Sequence, residues 1–157
     1  MARAKVHLTN QTDLTCTLLD IRSVDRTEWV LASGRPFAQA YEAVIRQTSS
    51  FTIRCDGAPL CTYGVSPTAV PGVGRVWMVA TNHGQRNAFR AQRLFAEVID
   101  TLHLSYPVLE AWAYEGNTLH HHWMERLGFV RTGDRRLMGM GAPFLLFTRT
   151  KETPPCA

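Results

Sequence analysis

The stretch Asn117-Thr118-Leu119-His120-His121-His122-Trp123-Met124-Glu125-Arg126-Leu127-Gly128-Phe129 sets the frame for the whole chain. Gly116 and Asn117 supply a turn and an N-cap, because an Asn side chain there accepts a backbone N–H from the first helical turn. The spacing predicts a helix running to Leu127. Gly128 falls at the C′ position, where glycine adopts the left-handed conformation at little cost. Upstream, Pro107 breaks the chain ahead of an expected strand, Val108 to Tyr114, and downstream Phe129 to Thr132 returns to strand. The unit is therefore strand, turn, helix, strand.

Before this unit, residues 85–103 predict a long helix whose stripe is Phe89, Leu94, Phe95, Val98, Ile99 and Leu102. A polar loop, Asn82-His83-Gly84, joins it to the strand Arg75 to Thr81, which is apolar on both faces as a central strand is. Residues 66–74 hold two prolines and two glycines and predict an irregular connection. Phe51, Ile53 and Cys55 alternate with polar residues, Asp56-Gly57-Ala58-Pro59 turns, and Leu60 to Val65 returns, which predicts a β-hairpin. Three helices precede it. Thr12 and Asp13 offer N-cap chemistry to one carrying Leu14, Leu18 and Leu19. Val24 to Ala32 forms the next, stopped by Gly34. Pro36 opens the third, with Phe37, Ala40, Tyr41, Val44 and Ile45 at helical spacing. Lys5 to Leu8 is a short first strand, and Pro143 to Thr150 closes the chain after a glycine-rich turn. The expected class is α/β (α+β): a mixed, mainly antiparallel sheet flanked by helices over residues 1–150, with 151–157 a frayed tail.

Composition narrows the function classes. Apolar residues make up 45% and charged residues 19%, which is globular rather than disordered. No apolar run reaches the ~20 residues of a membrane span. The basic N-terminus lacks an apolar h-region, so the chain is expected to stay in the cytoplasm where it is made. The net charge of +4 favours an anionic partner or a solvated basic surface. Nucleic acid is the weakest of the anionic candidates. Cys16, Cys55, Cys61 and Cys156 contain no CxxC pair, so a zinc ribbon is unsupported, and they are expected as reduced thiols.

The element order and the Asn117–Phe129 stretch, Asn followed by a helix and then Leu-Gly-Phe, resemble the GNAT superfamily of N-acetyltransferases. A closer resemblance is to the GNAT-like internal virion protein A group of short-tailed bacteriophages. It rests on Arg22-x-x-Asp25-x-x-Glu28, on Val76-Trp77 leading to Thr81, on Asn117-Thr118-x-His120, and on Pro143-Phe144-x-x-Phe147-Thr148. The resemblance implies acetyl-CoA as cosubstrate, bound by its pyrophosphate at the start of the long helix, where unpaired N–H groups favour an anion. The residues it implies are Val79, Ala80 and Thr81 at the strand end, Gly84, Gln85 and Arg86 in the loop, and Asn117.

Two departures stand out. The loop 82–90 lacks the superfamily's Gln/Arg-x-x-Gly-x-Gly/Ala pattern, with Gly84 its only glycine. The tyrosine that many GNAT enzymes carry seven residues after the Asn, able to protonate the leaving thiolate, is Met124 here. The remaining catalytic candidates are His120, a base near neutral pH that shares a helix face with Asn117 and Met124, and Glu28. Glu28 sits three residues from Asp25 and could meet an amine or work as a base; a surface carboxylate paired with Arg22 or Arg26 fits it equally. No metal is expected, because consecutive helix residues point about 100° apart and His120, His121 and His122 cannot ligate one ion. Two readings remain. One is a phage GNAT-fold interaction protein of the virion or its assembly, with a degenerate acetyl-CoA site, found in host cytoplasm or virion. The other is an active acetyl-CoA-dependent N-acetyltransferase modifying a host protein or a small amine. The altered loop and Met124 weigh toward the first.

Overall fold

The computed structural model describes residues 4–151. Its elements in chain order are β1 (Lys5–Leu8), α1 (Gln11–Asp20), α2 (Ser23–Ser33), α3 (Phe37–Gln47), β2 (Ser50–Cys55), β3 (Ala58–Pro67), β4 (Val73–Ala80), α4 (Asn82–Arg86), α5 (Ala88–Leu102), β5 (Val108–Tyr114), α6 (Thr118–Arg126), β6 (Val130–Met138) and β7 (Ala142–Thr150). The strands form one seven-stranded sheet in the order β1-β2-β3-β4-β5-β7-β6. Every neighbouring pair is antiparallel except β4 and β5. The mixed, mainly antiparallel α/β class expected from the sequence is the one observed.

Two apolar clusters hold helices to opposite faces. Strand alternation sends Val76, Met78 and Ala80 to the face covered by α5 and α6, where Phe95, Ile99, Met124 and Leu127 pack with Leu109, Leu145 and Phe147. Val79 and Trp77 turn to the other face, against Ile21, Trp29, Phe37 and Tyr41 of α1–α3. The helix stops are those the sequence predicts. Gly34 caps α2 in the left-handed region at φ 68° and donates to Val30 O, and Gly128 follows α6 at φ 85°.

Four expectations are corrected. The cap of α1 is Asn10, not Thr12 or Asp13. Asn10 Oδ1 accepts from the Asp13 N–H, and Asp13 accepts from the Asn10 N–H, a reciprocal capping box. Residues 82–86 are helical rather than loop, and Asn87 (φ −112°, ψ 32°) separates this short α4 from α5, so the long helix starts at Ala88 and not Gln85. Phe89, expected in the core, is 90% exposed. The buried stripe is Ala91, Phe95, Val98 and Ile99, and a side chain two residues before Ala91 lies about 200° round the helix from it. Leu19 is likewise exposed, while Asp13 is fully buried and held by Arg54 and His7 at 2.8 and 2.7 Å. The frayed tail expected over 151–157 falls, beyond Lys151, outside the described residues. Cys55 and Cys61 are buried free thiols on adjacent strands.

Candidate active site

The parallel pair β4–β5 is where the sheet opens. Its register covers only Val73 to Arg75 against Val108 to Glu110, whereas β4 continues to Ala80 and β5 to Tyr114. An Arg75–Glu110 ion pair (2.6 Å) closes the joined end. Beyond it the strands part. The Thr81 N–H bonds Leu60 O on β3, so the alternation of an antiparallel ladder turns the amides of Met78 and Ala80 toward β5. The Glu115 N–H bonds Pro143 O on β7, so the same alternation turns the amides of Trp112 and Tyr114 toward β4.

Helix α2 wedges the open end with two carboxylates one turn apart. Asp25 Oδ2 accepts the Ala80 N–H at 2.8 Å and is gripped by the Arg22 guanidinium at 2.8 to 3.2 Å. Glu28 accepts the Asn117 side-chain amide at 2.5 Å, faces His120 Nδ1 at 3.4 Å, and feels the field of the Tyr114 N–H. The Arg22-x-x-Asp25-x-x-Glu28 spacing thus places one acid on each parted strand. Both acids are buried, not surface carboxylates. Between them, Met78 on β4 and Trp112 on β5 keep backbone groups facing the gap.

The electrostatics of this cluster come from burial and pairing. Burial pushes the Glu28 carboxyl upward, but the charge and hydrogen bond of His120, the Asn117 amide and the Tyr114 N–H outweigh it, and the group titrates below its ordinary value. Burial pushes His120 downward, yet the Glu28 charge more than compensates, and the imidazole titrates above its ordinary value. Asp25 is raised because its burial exceeds what Arg22, His120 and the Ala80 N–H return. The three consecutive histidines diverge as the helix geometry requires: His120 to Glu28, His121 Nε2 to Tyr114 O at 2.9 Å, and His122 to Glu125 at 3.6 Å. Among the described residues no group of His, Cys, Asp and Glu is arranged to hold a metal, and no helix is long and apolar enough to cross a membrane.

Two cavities meet the gap. One of ≈ 490 Å³ is lined by Glu28, His120, Met124, Phe144 and all four tryptophans, Trp29, Trp77, Trp112 and Trp123. The indole N–H groups of Trp77 and Trp112 are buried without an acceptor among the described residues. The other, ≈ 450 Å³, runs past Ala80, Gly84, Gln85, Ala88, Phe89 and Trp123. Met78 and Trp123 line both.

The amides that a diphosphate would need are unevenly available. At the start of α4 the His83 N–H is bound by the Asp20 carboxylate at 2.9 Å, the Gly84 N–H by the Thr81 hydroxyl at 2.9 Å, and the Gln85 N–H by Thr81 O. A Cβ on Gly84 would strike Leu60 O, so that glycine serves the packing of α4 on β3 rather than a phosphate cradle. By contrast Asn87 makes no side-chain cap at the head of α5, which leaves the Ala88 and Phe89 amides at the mouth of the second cavity. Of the residues expected around a cofactor, Val79 is buried on the α1–α3 face, and Ala80, Thr81 and Gly84 have their groups engaged. Gln85 lines the cavity, Arg86 is exposed, and Asn117 holds Glu28. Sequence reasoning misses the Asp20 cap and the Ala88–Phe89 amides. The first joins residues 63 positions apart, and the second depends on the break at Asn87, for which the sequence offers only an Asn among helix formers.

No family model matches the chain, and no curated protein matches it in sequence. Solved structures do resemble it. The aminoglycoside acetyltransferase AAC(6')-Ib, in complex with ribostamycin and coenzyme A, superposes with a TM-score of 0.74 at 18% identity, over 96% of this chain and 94% of that one. A ribosomal-protein-alanine N-acetyltransferase from Brucella melitensis gives 0.69 at 12% identity, over 93% and 99%. An N-acetyltransferase from Staphylococcus aureus Mu50 gives 0.69 at 11%, over 96% and 99%. Likeness at this level of identity concerns architecture, and with the parted β4–β5 pair in place the architecture is clear: the chain has the GNAT fold of the N-acetyltransferases.

Proposed function

We propose that the chain is an acetyl-CoA-dependent N-acetyltransferase working at the gap between β4 and β5. The observation that carries this reading is the early parting of the two parallel strands, which leaves Met78 and Trp112 edges facing a cavity on either side. An extended pantetheine-like chain can pair with such an edge as a strand would. The residues present fit the group in part. Met78 would take the amide-bearing arm, and the Ala88 and Phe89 amides at the head of α5, with Arg86 beside them, would take the diphosphate. The anion site thereby moves one short helix downstream of where the sequence pattern puts it.

Bound there, acetyl-CoA would supply an activated acetyl thioester with a thiolate leaving group. The protein's own contribution is proton handling. His120 Nδ1 faces Glu28 Oε2, which orients the ring and leaves Nε2 as the basic nitrogen of a side chain that lines the larger cavity. Nε2 takes a proton from an ammonium entering that cavity, and the resulting imidazolium is held by the Glu28 carboxylate. Asn117 fixes Glu28 in turn, so Glu28 is a positioning residue and His120 the base. Met124 lies one turn beyond His120 and has no proton to give, so the imidazolium is also the acid available on that helix face.

A second reading is favoured by the carboxylates of Asp20 and Asp25, which already occupy amides at the strand end and the α4 start. On that reading the scaffold has given its anion site to its own side chains, and the chain is an interaction protein of a phage virion or its assembly. One experiment separates the two. Thiol release from acetyl-CoA with a panel of amines should be detectable for wild type, and His120→Gln should slow it by about 10²–10⁴-fold. No release with any amine, and no binding at millimolar acetyl-CoA, would leave the second reading standing.

A further inference from the structure

The larger cavity carries information about its occupant, which is called an acceptor only on the strength of the proposed transferase activity. Its walls are apolar and aromatic, with all four tryptophans lining it. Its acidic lining is one residue, Glu28, whose charge is already taken by His120, Asn117 and the Tyr114 N–H. Its cationic lining is Arg35, Arg75 and Arg136. Arg75 is neutralised by Glu110. Arg136 stacks over Trp112 at 5.2 Å from the ring centroid, and neither it nor Arg35 forms an ion pair with a carboxylate among the described residues. Both are exposed, which places them at the rim. The hairpin that bears Arg136 is docked on the end of α2 through the Met140 N–H and Leu31 O at 3.0 Å, close to Arg35.

We infer that the acceptor is an amine with an aromatic or apolar body and an anionic group, such as an aromatic amino acid. The body enters among the tryptophans, the amine reaches His120, and the carboxylate rests between Arg35 and Arg136. A polycation is disfavoured, because it brings further positive charge to a rim holding two arginines and finds no uncommitted carboxylate inside. A guanidinium stacked on an indole is also pre-ordered to receive a carboxylate in a fork of two N–H groups.

Because every tryptophan of the chain lines this cavity, its occupancy is read directly by intrinsic fluorescence with non-fluorescent probes. Titration with 3-phenylpropionate, phenethylamine and spermine should give saturable quenching by 3-phenylpropionate, about tenfold tighter than phenethylamine, one charge contact's worth. The double variant Arg35→Gln/Arg136→Gln should reduce that preference to about twofold or less, while Arg35→Lys/Arg136→Lys, which keeps the charge, should retain most of it. The assignment is overturned if spermine or phenethylamine binds as tightly as 3-phenylpropionate, if no probe quenches, or if the Gln variant keeps the full preference. Acetyl transfer is scored separately. Carboxylate-dependent quenching without thiol release from any amine removes the transferase reading and keeps this cavity assignment; thiol release with spermine but not phenylalanine does the reverse.

Discussion

Replacing Glu28 by Gln should both destabilise the fold and reverse the sign of one pH dependence. The change is nearly isosteric, so it leaves the packing of α2 in place. It removes the charge that His120 faces, at an oxygen, Oε2, that also accepts the Asn117 amide. Turned with its carbonyl oxygen at that position, the Gln keeps an acceptor for both groups but carries no charge. Breaking a buried ion pair by removing one partner costs about 3–5 kcal/mol; with one acceptor oxygen retained, the low end, about 3 kcal/mol, is expected. In a chain of this size that corresponds to a fall in melting temperature of about 6–12 °C. The pH dependence is the sharper signal. In the native protein His120 titrates above its ordinary value. Its contribution to stability is therefore fully present below pH about 6.5 and is lost as pH rises through the raised value. Without Glu28, burial and Arg22 outweigh Asp25, so His120 titrates below its ordinary value and instead costs stability as pH falls below about 6.5. The gap between wild type and Glu28→Gln should thus widen as pH is lowered from 9 to 6. Urea unfolding at several pH values, with the His120 ring titration followed by NMR, measures both. A loss under about 1 kcal/mol at pH 7, with an unmoved His120 titration, would show that Glu28 and His120 are not a coupled buried pair.

Three further outcomes concern the helix caps and the tryptophan packing. Asp20→Ala removes the carboxylate from the His83 N–H at the start of α4 and should lower stability by about 0.5–2 kcal/mol, measurable by thermal melting. Asn10→Ala breaks one half of the capping box of α1 and should cost about 1 kcal/mol in the same assay. Gly64→Ala places a Cβ 2.6 Å from the Trp77 indole, so the ring must shift toward the cavity; a loss of about 1–3 kcal/mol is expected, with altered tryptophan fluorescence as its local mark.

Much of this fold is legible in the sequence because its signals are local. Gly34 and Gly128 end helices where a positive φ is needed, Asn117 caps α6, and the apolar run from Val76 to Ala80 marks a strand covered on both faces. Where local signals compete, the sequence misleads. Asn10, Thr12 and Asp13 all have N-cap chemistry, and only the reciprocal bond between Asn10 and Asp13 selects the first. The helix expected from Gln85 is interrupted at Asn87, whose N–H reaches back to His83 O and Gly84 O. Phe95, Val98 and Ile99 are buried as the stripe predicts, and Phe89 faces solvent because it lies round α5 from Ala91. The site is legible only in part. His120 and Glu28 are separate candidates in the sequence, and their contact joins residues 92 positions apart. The parting of β4 and β5 depends on where two strands stop pairing, which no residue type announces.

Cofactor binding at the gap requires an open edge on β4, and amide hydrogen exchange at Met78 probes that edge itself. With saturating acetyl-CoA the Met78 amide should become strongly protected, with Ala88 and Phe89 protected alongside it, while residues of the β6–β7 hairpin exchange as before. Unchanged exchange at Met78 under millimolar acetyl-CoA would contradict the assignment of the gap as a cofactor-binding edge.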